Sequence, residues 1–272
     1  MTRTVHFISG LPRAGSTLLS AILRQNPHFH TRITSPVFSM VGGLQEKMSG
    51  ASEFVVFFDD DRRRAILRGA FDSYYYDVAP DRVVFDTNRA WTSKIALLLD
   101  LFPGTRIICC VREVAWIVDS MERMLHKNPQ QLSRVYNFKP GNSVYSRADT
   151  LMNSESGLIG IRWSTLREAW FSEFAKHLIV VNYESLVHQP ALTIQRLYQE
   201  LHETPFAHDF QNVSYDEPEY DAVLGMPGMH KVRPKVEFDG RTSCIPPELF
   251  AKYADLNFWL KKEANVKGVT VI

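Results

Sequence analysis

The chain has 272 residues, 45% apolar and 22% charged, a balance that lets one large domain, or one domain with a long insertion, bury a full core. A net charge of +1 argues against holding a polyanion by bulk charge, so any anion site has to be local and no nucleic-acid partner is expected. Three cysteines, Cys109, Cys110 and Cys244, do not describe a disulfide framework; buried thiols are the expectation. The apolar run after Met1 is too short for a signal peptide, and no stretch reaches the ~18 apolar residues of a span, so a cytoplasmic protein without a membrane partner is expected.

Val5 to Ser9 is a short apolar run ending at Gly10, and it reads as a buried strand. Leu18, Leu19, Ile22 and Leu23 then fall at helical spacing until Asn26-Pro27. His28 and His30 alternate in what reads as a solvent-facing loop. Thr34 to Gly50 carries Pro36, Gly42 and Gly43, followed by a weak helical pattern, and Arg62 to Tyr76 reads as another helix. Val83-Val84-Phe85 is a short strand ending at Asp86, followed by a helical pattern from Trp91 to Phe102. Ile107 to Val111 is the clearest buried strand, and Ala115 to His126 resumes helical spacing. Residues 128–156 are polar and read as an irregular insertion. Leu158 to Phe174 is helical, Leu178 to Asn182 is a strand ending at Tyr183, and Pro190 opens a further helix to Leu201. Residues 203–245 hold no lasting period, and so long a loop in a compact domain suits a lid. A last helix begins at Pro246-Pro247-Glu248.

Strands alternating with helices predict an α/β, P-loop-like three-layer fold with a central, mainly parallel sheet, in a single domain over 1–272. Such a sheet binds ligands at the carboxyl ends of its strands. The 10–17 loop, Asp86 to Arg89, Arg112 and Tyr183 all fall there.

The loop Gly10-Leu11-Pro12-Arg13-Ala14-Gly15-Ser16-Thr17 has the spacing of a Walker A loop without its lysine. Ser16 stands at the lysine position, and the positive charge has moved to Arg13. The backbone of Pro12, Arg13, Ala14 and Gly15 can still converge on a phosphate at a helix N-terminus, with Ser16 and Thr17 adding hydroxyls. Lacking the lysine, the loop suits a single 5′-phosphate better than a triphosphate. A plain strand-turn-helix is the alternative reading of the same residues. Arg112 ends a buried strand and Ser120 lies about two helical turns on, so the pair can grip a second phosphate. Pairing of Arg112 with Glu113 or Asp119 is the alternative there.

Gly10 to Leu18 resembles the 5′-phosphosulfate loop of sulfotransferases, and Val111-Arg112 with Ser120 resembles their 3′-phosphate motif. Tyr183-Glu184-Ser185-Leu186 is similar to a third segment of that family, whose tyrosine lies near the nucleotide. The likeness covers roughly residues 4–200 and is nearest to the branch with tyrosylprotein sulfotransferases and bacterial relatives. It implies the donor 3′-phosphoadenosine 5′-phosphosulfate (PAPS) and the product 3′-phosphoadenosine 5′-phosphate (PAP); a sulfuryl group carries less charge than a phosphoryl group and the sequence shows no clustered Cys/His ligand spacing, so no metal is expected.

In-line sulfuryl transfer needs cationic and N–H groups at the leaving oxygen and a base for the acceptor. Arg13, Thr17 and the helix N-terminus suit the leaving side. Tyrosylprotein sulfotransferases carry a glutamate after the first helix, where this sequence has Ile33-Thr34-Ser35-Pro36. Asp86 is the substitute base, with capping of the next turn as its other reading. Arg89 can contact the sulfuryl group or an acidic acceptor. Gly228-Met229-His230-Lys231-Val232-Arg233-Pro234-Lys235 resembles in placement the family loop that closes over the nucleotide. It offers Lys231, Arg233 and Lys235 to phosphates and His230 as a second base or sulfuryl contact; a solvated charged face is the alternative. The acceptor is a small molecule or peptide bearing a hydroxyl or amine, with 34–60 and 128–156 as expected walls of its pocket. A P-loop-type kinase or NTPase and a non-catalytic nucleotide-binding protein are the competing readings.

Overall fold

Val5–Gly10 is buried at every position, as a parallel strand covered on both faces requires, and it forms β1 at the centre of the sheet. The computed structural model describes residues 3–50, 53–127, 129, 130, 136 and 143–272. The expected 128–156 insertion and the 34–60 wall thus fall partly outside the described residues. After β1 come α1 (Ser16–Leu23), β2 (Phe29–Thr31) and α2 (Val37–Ser49). Next is α3 (Asp60–Tyr74), which starts before Arg62 because the Asp59 side chain caps it by accepting from the Arg62 amide. β3 (Val83–Thr87) extends through Asp86. The Trp91–Phe102 pattern splits into a 3-10 turn, Trp91–Lys94, and α4 (Ile95–Leu101).

β4 (Ile107–Val111) and α5 (Val114–Lys127) match their sequence patterns closely. They are followed by α6 (Val144–Met152) and α7 (Gly160–Phe171), then β5 (Leu178–Asn182), α8 (Tyr183–His188) and α9 (Pro190–Leu201). The 203–245 stretch contains one short helix, α10 (Pro218–Val223), before α11 (Pro247–Ala254) and the closing strand β6 (Thr270–Val271).

The six strands pair in the order β2-β3-β1-β4-β5-β6, every neighbour parallel. The chain fills one side of β1 with β2 and β3 and then crosses to β4. The winding reverses at β1, which puts the expected ligand edge beyond the ends of β1 and β4. The outermost strands were not legible, because three residues in β2 and two in β6 are too few to show a period. His30 is corrected accordingly: it sits half-buried in β2 against the Tyr75 ring, while His28 is exposed.

Phe7, Phe71, Trp91 and Phe102 pack edge-on and stacked under the sheet. Burying each such ring contributes roughly 1.5–3 kcal/mol. Cys109 and Cys110 are fully buried thiols within β4, and burial pushes the Cys110 thiol up to about 12. Among the described residues, no helix is long and apolar enough to cross a membrane.

Candidate functional site

The end of β1 is built to bring backbone close to backbone. Gly10 has φ +113°, and a Cβ there would stand 2.2 Å from the Cys110 carbonyl oxygen of β4. Only glycine lets the chain leave the sheet at that point. The Leu11 amide then donates to the same carbonyl at 2.9 Å. Arg13 has φ 57°, a left-handed backbone costing roughly 1 kcal/mol, the kind of strain stored at binding loops. Gly15 (φ +89°) ends the loop, and a Cβ on it would strike the Tyr183 ring at 2.8 Å. It stands at the N-cap of α1 with no side-chain cap, so the first-turn amides of α1 are left for a ligand.

The cleft in front of this turn is lined by Gly15, Ser16, Thr17, Arg13, Arg89, Arg112, Ser120, Tyr183, His230, Lys231, Arg233 and Lys235. These sequence-derived candidates therefore converge. Pro12 and Ala14 do not line the cleft; both are buried behind the turn and give it shape. None of the described residues of 34–60 or 128–156 lines it either.

Arg13 connects three parts of the site. Its Nε donates to the Ser120 hydroxyl on α5 at 3.1 Å, and its Nη1 donates to the Met229 carbonyl of the 203–245 stretch. Burial is the main cause that lowers Arg13 to about 10, with the Arg112, Arg89 and Arg241 charges adding to it. A guanidinium crowded by three others is a cation waiting for anions.

Arg112 leaves β4 with its guanidinium stacked 4.2 Å from the Tyr183 ring centre, and its partner is Glu184 at 3.8 Å rather than Glu113 or Asp119. Its Nε is buried without a hydrogen bond. Arg241, which sequence reasoning missed, also faces the cleft, 2.8 Å from the buried Asp119 carboxylate. Asp119 in turn accepts from Arg123 at 3.0 Å and from the Cys244 amide at 2.6 Å. No local signal marks Arg241 in its irregular segment.

His230 is nearly buried, and its Nδ1 donates to Asp221 Oδ1 at 2.5 Å while the Asp221 Oδ2 accepts the His230 amide at 2.8 Å. A carboxylate can only accept, so Nδ1 carries the proton and neutral His230 keeps its Nε2 lone pair free. Burial lowers the His230 pKa; Asp221 opposes this, and the Arg89 and Arg13 charges reinforce it. Asp221 had no sequence signal either, lying nine residues away on α10.

Asp86 requires a correction. It is 0% exposed, and its two oxygens accept from the Ser35 hydroxyl, the Tyr75 hydroxyl and the Trp91 indole N–H, each at 2.8 Å. Burial raises its pKa and those three donors oppose the rise. It neither lines the cleft nor caps a helix; it ties β3, α3, the segment before α2 and the 3-10 turn together. Arg89 is positioned separately, by the Ser9 hydroxyl of β1, which donates to its carbonyl at 3.1 Å.

This geometry fits what the chain is similar to. A family model described as "Sulfotransferase family" matches residues 6–207. The chain belongs to the sulfotransferase family. No curated protein matches it. Among solved structures, the sulfotransferase domain of the Synechococcus PCC 7002 olefin synthase superposes with a TM-score of 0.52 at 17% identity, covering 93% of this chain and 94% of that one. The sulfotransferase domain from the Curacin biosynthetic pathway gives 0.54 at 17% identity, with 94% and 92% covered. A sulfotransferase from Alicyclobacillus acidocaldarius gives 0.53 at 16% identity, with 82% and 90% covered. At such identities these structures establish the shared α/β fold; the family membership rests on the sequence match. The protein is thus a sulfotransferase by family, and the chemistry to be supplied is sulfuryl transfer. Among the described residues no group of three or more His, Cys, Asp or Glu is placed to hold a metal ion.

Proposed function

We propose that this sulfotransferase takes PAPS as donor and moves its sulfuryl group to a hydroxyl or amine of a small-molecule or peptide acceptor, releasing PAP. The observation that carries the reading is the Arg13 link between the glycine turn and Ser120, which joins two anion positions in one cleft. The residues present fit such a nucleotide. Gly10 and Gly15 keep the turn open where any Cβ would fill it, and the buried Arg112 Nε makes no hydrogen bond. The first-turn amides of α1, Ser16 and Thr17 would hold the 5′ side, and Arg112 and Ser120 the 3′-phosphate. Tyr183 would lie between them.

When bound, the donor supplies an activated sulfuryl group and leaves as the bisphosphate. Arg13 and the α1 N-terminus stabilise charge developing on the leaving oxygen. His230, oriented by Asp221, takes the acceptor proton on Nε2. The 203–245 stretch acts as a lid over a single domain, bringing His230, Lys231, Arg233 and Lys235 to the nucleotide.

Thermal-shift titration with PAP against ATP tests the reading. A ligand at a hundred times its Kd adds about 2.7 kcal/mol, a rise of roughly 5–10 °C for a chain of this size. PAP is expected to give that rise at concentrations where ATP gives little. Equal or greater stabilisation by ATP would favour a kinase or NTPase and overturn the proposal.

A further inference from the structure

Arg89 and Arg162 are two guanidiniums within electrostatic reach of each other, and among the described residues no carboxylate pairs with either. Arg89 follows β3 at the cleft wall, and among the described residues its side chain forms no ion pair or hydrogen bond. Arg162 sits in the first turn of α7, and its Nε is buried without a partner. The two are brought together by a shared frame. Thr92 Oγ1 and Thr165 Oγ1 lie 3.2 Å apart, joining the 3-10 turn to α7, and each arginine precedes its threonine by three residues. Ser9 fixes the same turn to β1 through the Arg89 carbonyl at 3.1 Å and the Thr92 amide at 3.2 Å.

On the proposed donor reading, we infer that Arg89 and Arg162 bind an oxyanion carried by the acceptor, so that the acceptor class is anionic: a carboxylate, phosphate or sulfate ester bearing the nucleophile. The donor's own charges already face Arg13, Arg112, Arg241 and the lid cations. Arg162 does not line the phosphate cleft, so it is left for another anion. Burial lowers both pKa values; the Arg89 charge lowers Arg162 further, and the Tyr220 phenol opposes the fall at Arg89. Two half-buried like charges with no carboxylate partner among the described residues are costly, and an oxyanion forked between them relieves both. Arg89 also adjoins His230, whose pKa it lowers, so an anion held there brings its nucleophile beside the proposed base.

The test is calorimetric titration of sulfate, and in parallel acetate, into PAP-saturated protein at constant ionic strength. Wild type is expected to bind one or both, the tighter probe distinguishing a tetrahedral from a planar oxyanion. Arg162→Gln should weaken that binding at least about tenfold, the scale of a lost charge-assisted contact, while PAP affinity stays unchanged. Arg162→Met, which keeps the apolar stem, should show the same loss and serves if the glutamine variant does not fold. Absence of any anion binding in the wild type, or equal affinity in the variants, would overturn the inference. If PAP itself fails to bind, the donor reading falls, and sulfate titration of the nucleotide-free protein still reads the dependence on Arg162.

Discussion

The site has two halves made in different ways. The glycine turn after β1 is fixed by backbone: Gly10 against Cys110, Gly15 against Tyr183, and Arg13 held at positive φ. The 203–245 half has backbone bonds of its own, from Val213 to Pro234, Val232 to Tyr215 and Val236 to Phe210, but its functional side chains are held in side-chain pairs, from the buried Asp221–His230 contact to exposed pairs of Arg233 with Asp239 and Lys235 with Glu237. A backbone-built half tolerates no change of shape and carries binding. A half whose charged side chains sit in ion pairs can exchange those partners for a ligand's, which suits closure and proton transfer. Substitutions should therefore separate affinity from turnover according to the half they touch.

The largest expected effect is on turnover. His230→Gln should lower kcat by roughly 10²–10⁴-fold, the usual contribution of a positioned acid or base, and leave PAP affinity within about twofold. Asp221→Asn should lower kcat less, with KM little changed, because it releases the proton position on His230. The pH profile gives a second readout. His230 works as the neutral base and burial lowers its pKa, so kcat should fall with acid below the ordinary histidine value near 6.5. Asp221 raises that pKa, so its removal should move the acid limb to still lower pH. A pH profile identical in wild type and Asp221→Asn would remove Asp221 from the mechanism.

The backbone half should respond in the opposite way. Gly15→Ala places a methyl against Tyr183 and strains a φ of +89°. The expected outcome is PAP affinity reduced by about 10–100-fold, following the roughly 1–3 kcal/mol of such backbone strain, measurable by calorimetry. Tight PAP binding in this variant would mean that the turn does not hold the nucleotide.

Asp86 tests the buried network on β3, outside both halves. Asp86→Leu leaves the Ser35, Tyr75 and Trp91 donors without their acceptor and should cost about 3–5 kcal/mol of stability, read by urea unfolding. This exceeds what a surface cap would lose. Unchanged stability would show that the network is dispensable.

The two halves also differ in how far the sequence revealed them. The cradle was legible because its geometry demands particular residues at fixed spacing: Gly10, Gly15, then Ser16 and Thr17, with Arg112 and Ser120 on the next strand and helix. β1, β4 and β5 were legible because buried parallel strands are unbroken apolar runs. The other half was only half visible. His230, Lys231, Arg233 and Lys235 stood out as a basic run, but Asp221, Arg241 and Arg162 are single residues whose roles arise from partners distant in sequence. Asp86 shows the limit most clearly. A carboxylate at a strand end reads alike as base, cap or hub, and its donors come from residues 5, 11 and 51 positions away.

The smallest effect concerns the exposed lid pairs. Arg233 and Asp239 meet at 2.7 Å with 67% and 48% of their side chains exposed. Such a pair is worth about 0–1 kcal/mol, so its exchange for a phosphate contact should shift affinity only about two- to fivefold. The sign is what makes the measurement useful. Arg233→Ala should weaken PAP binding by that factor, and Asp239→Asn should strengthen it, because the guanidinium no longer has an internal competitor. Both effects should fade as ionic strength rises and screening grows. If Asp239→Asn instead weakens binding, the pair holds the lid in its binding shape. The 203–245 half would then be pre-built, like the cradle, and the contrast between the two halves would disappear.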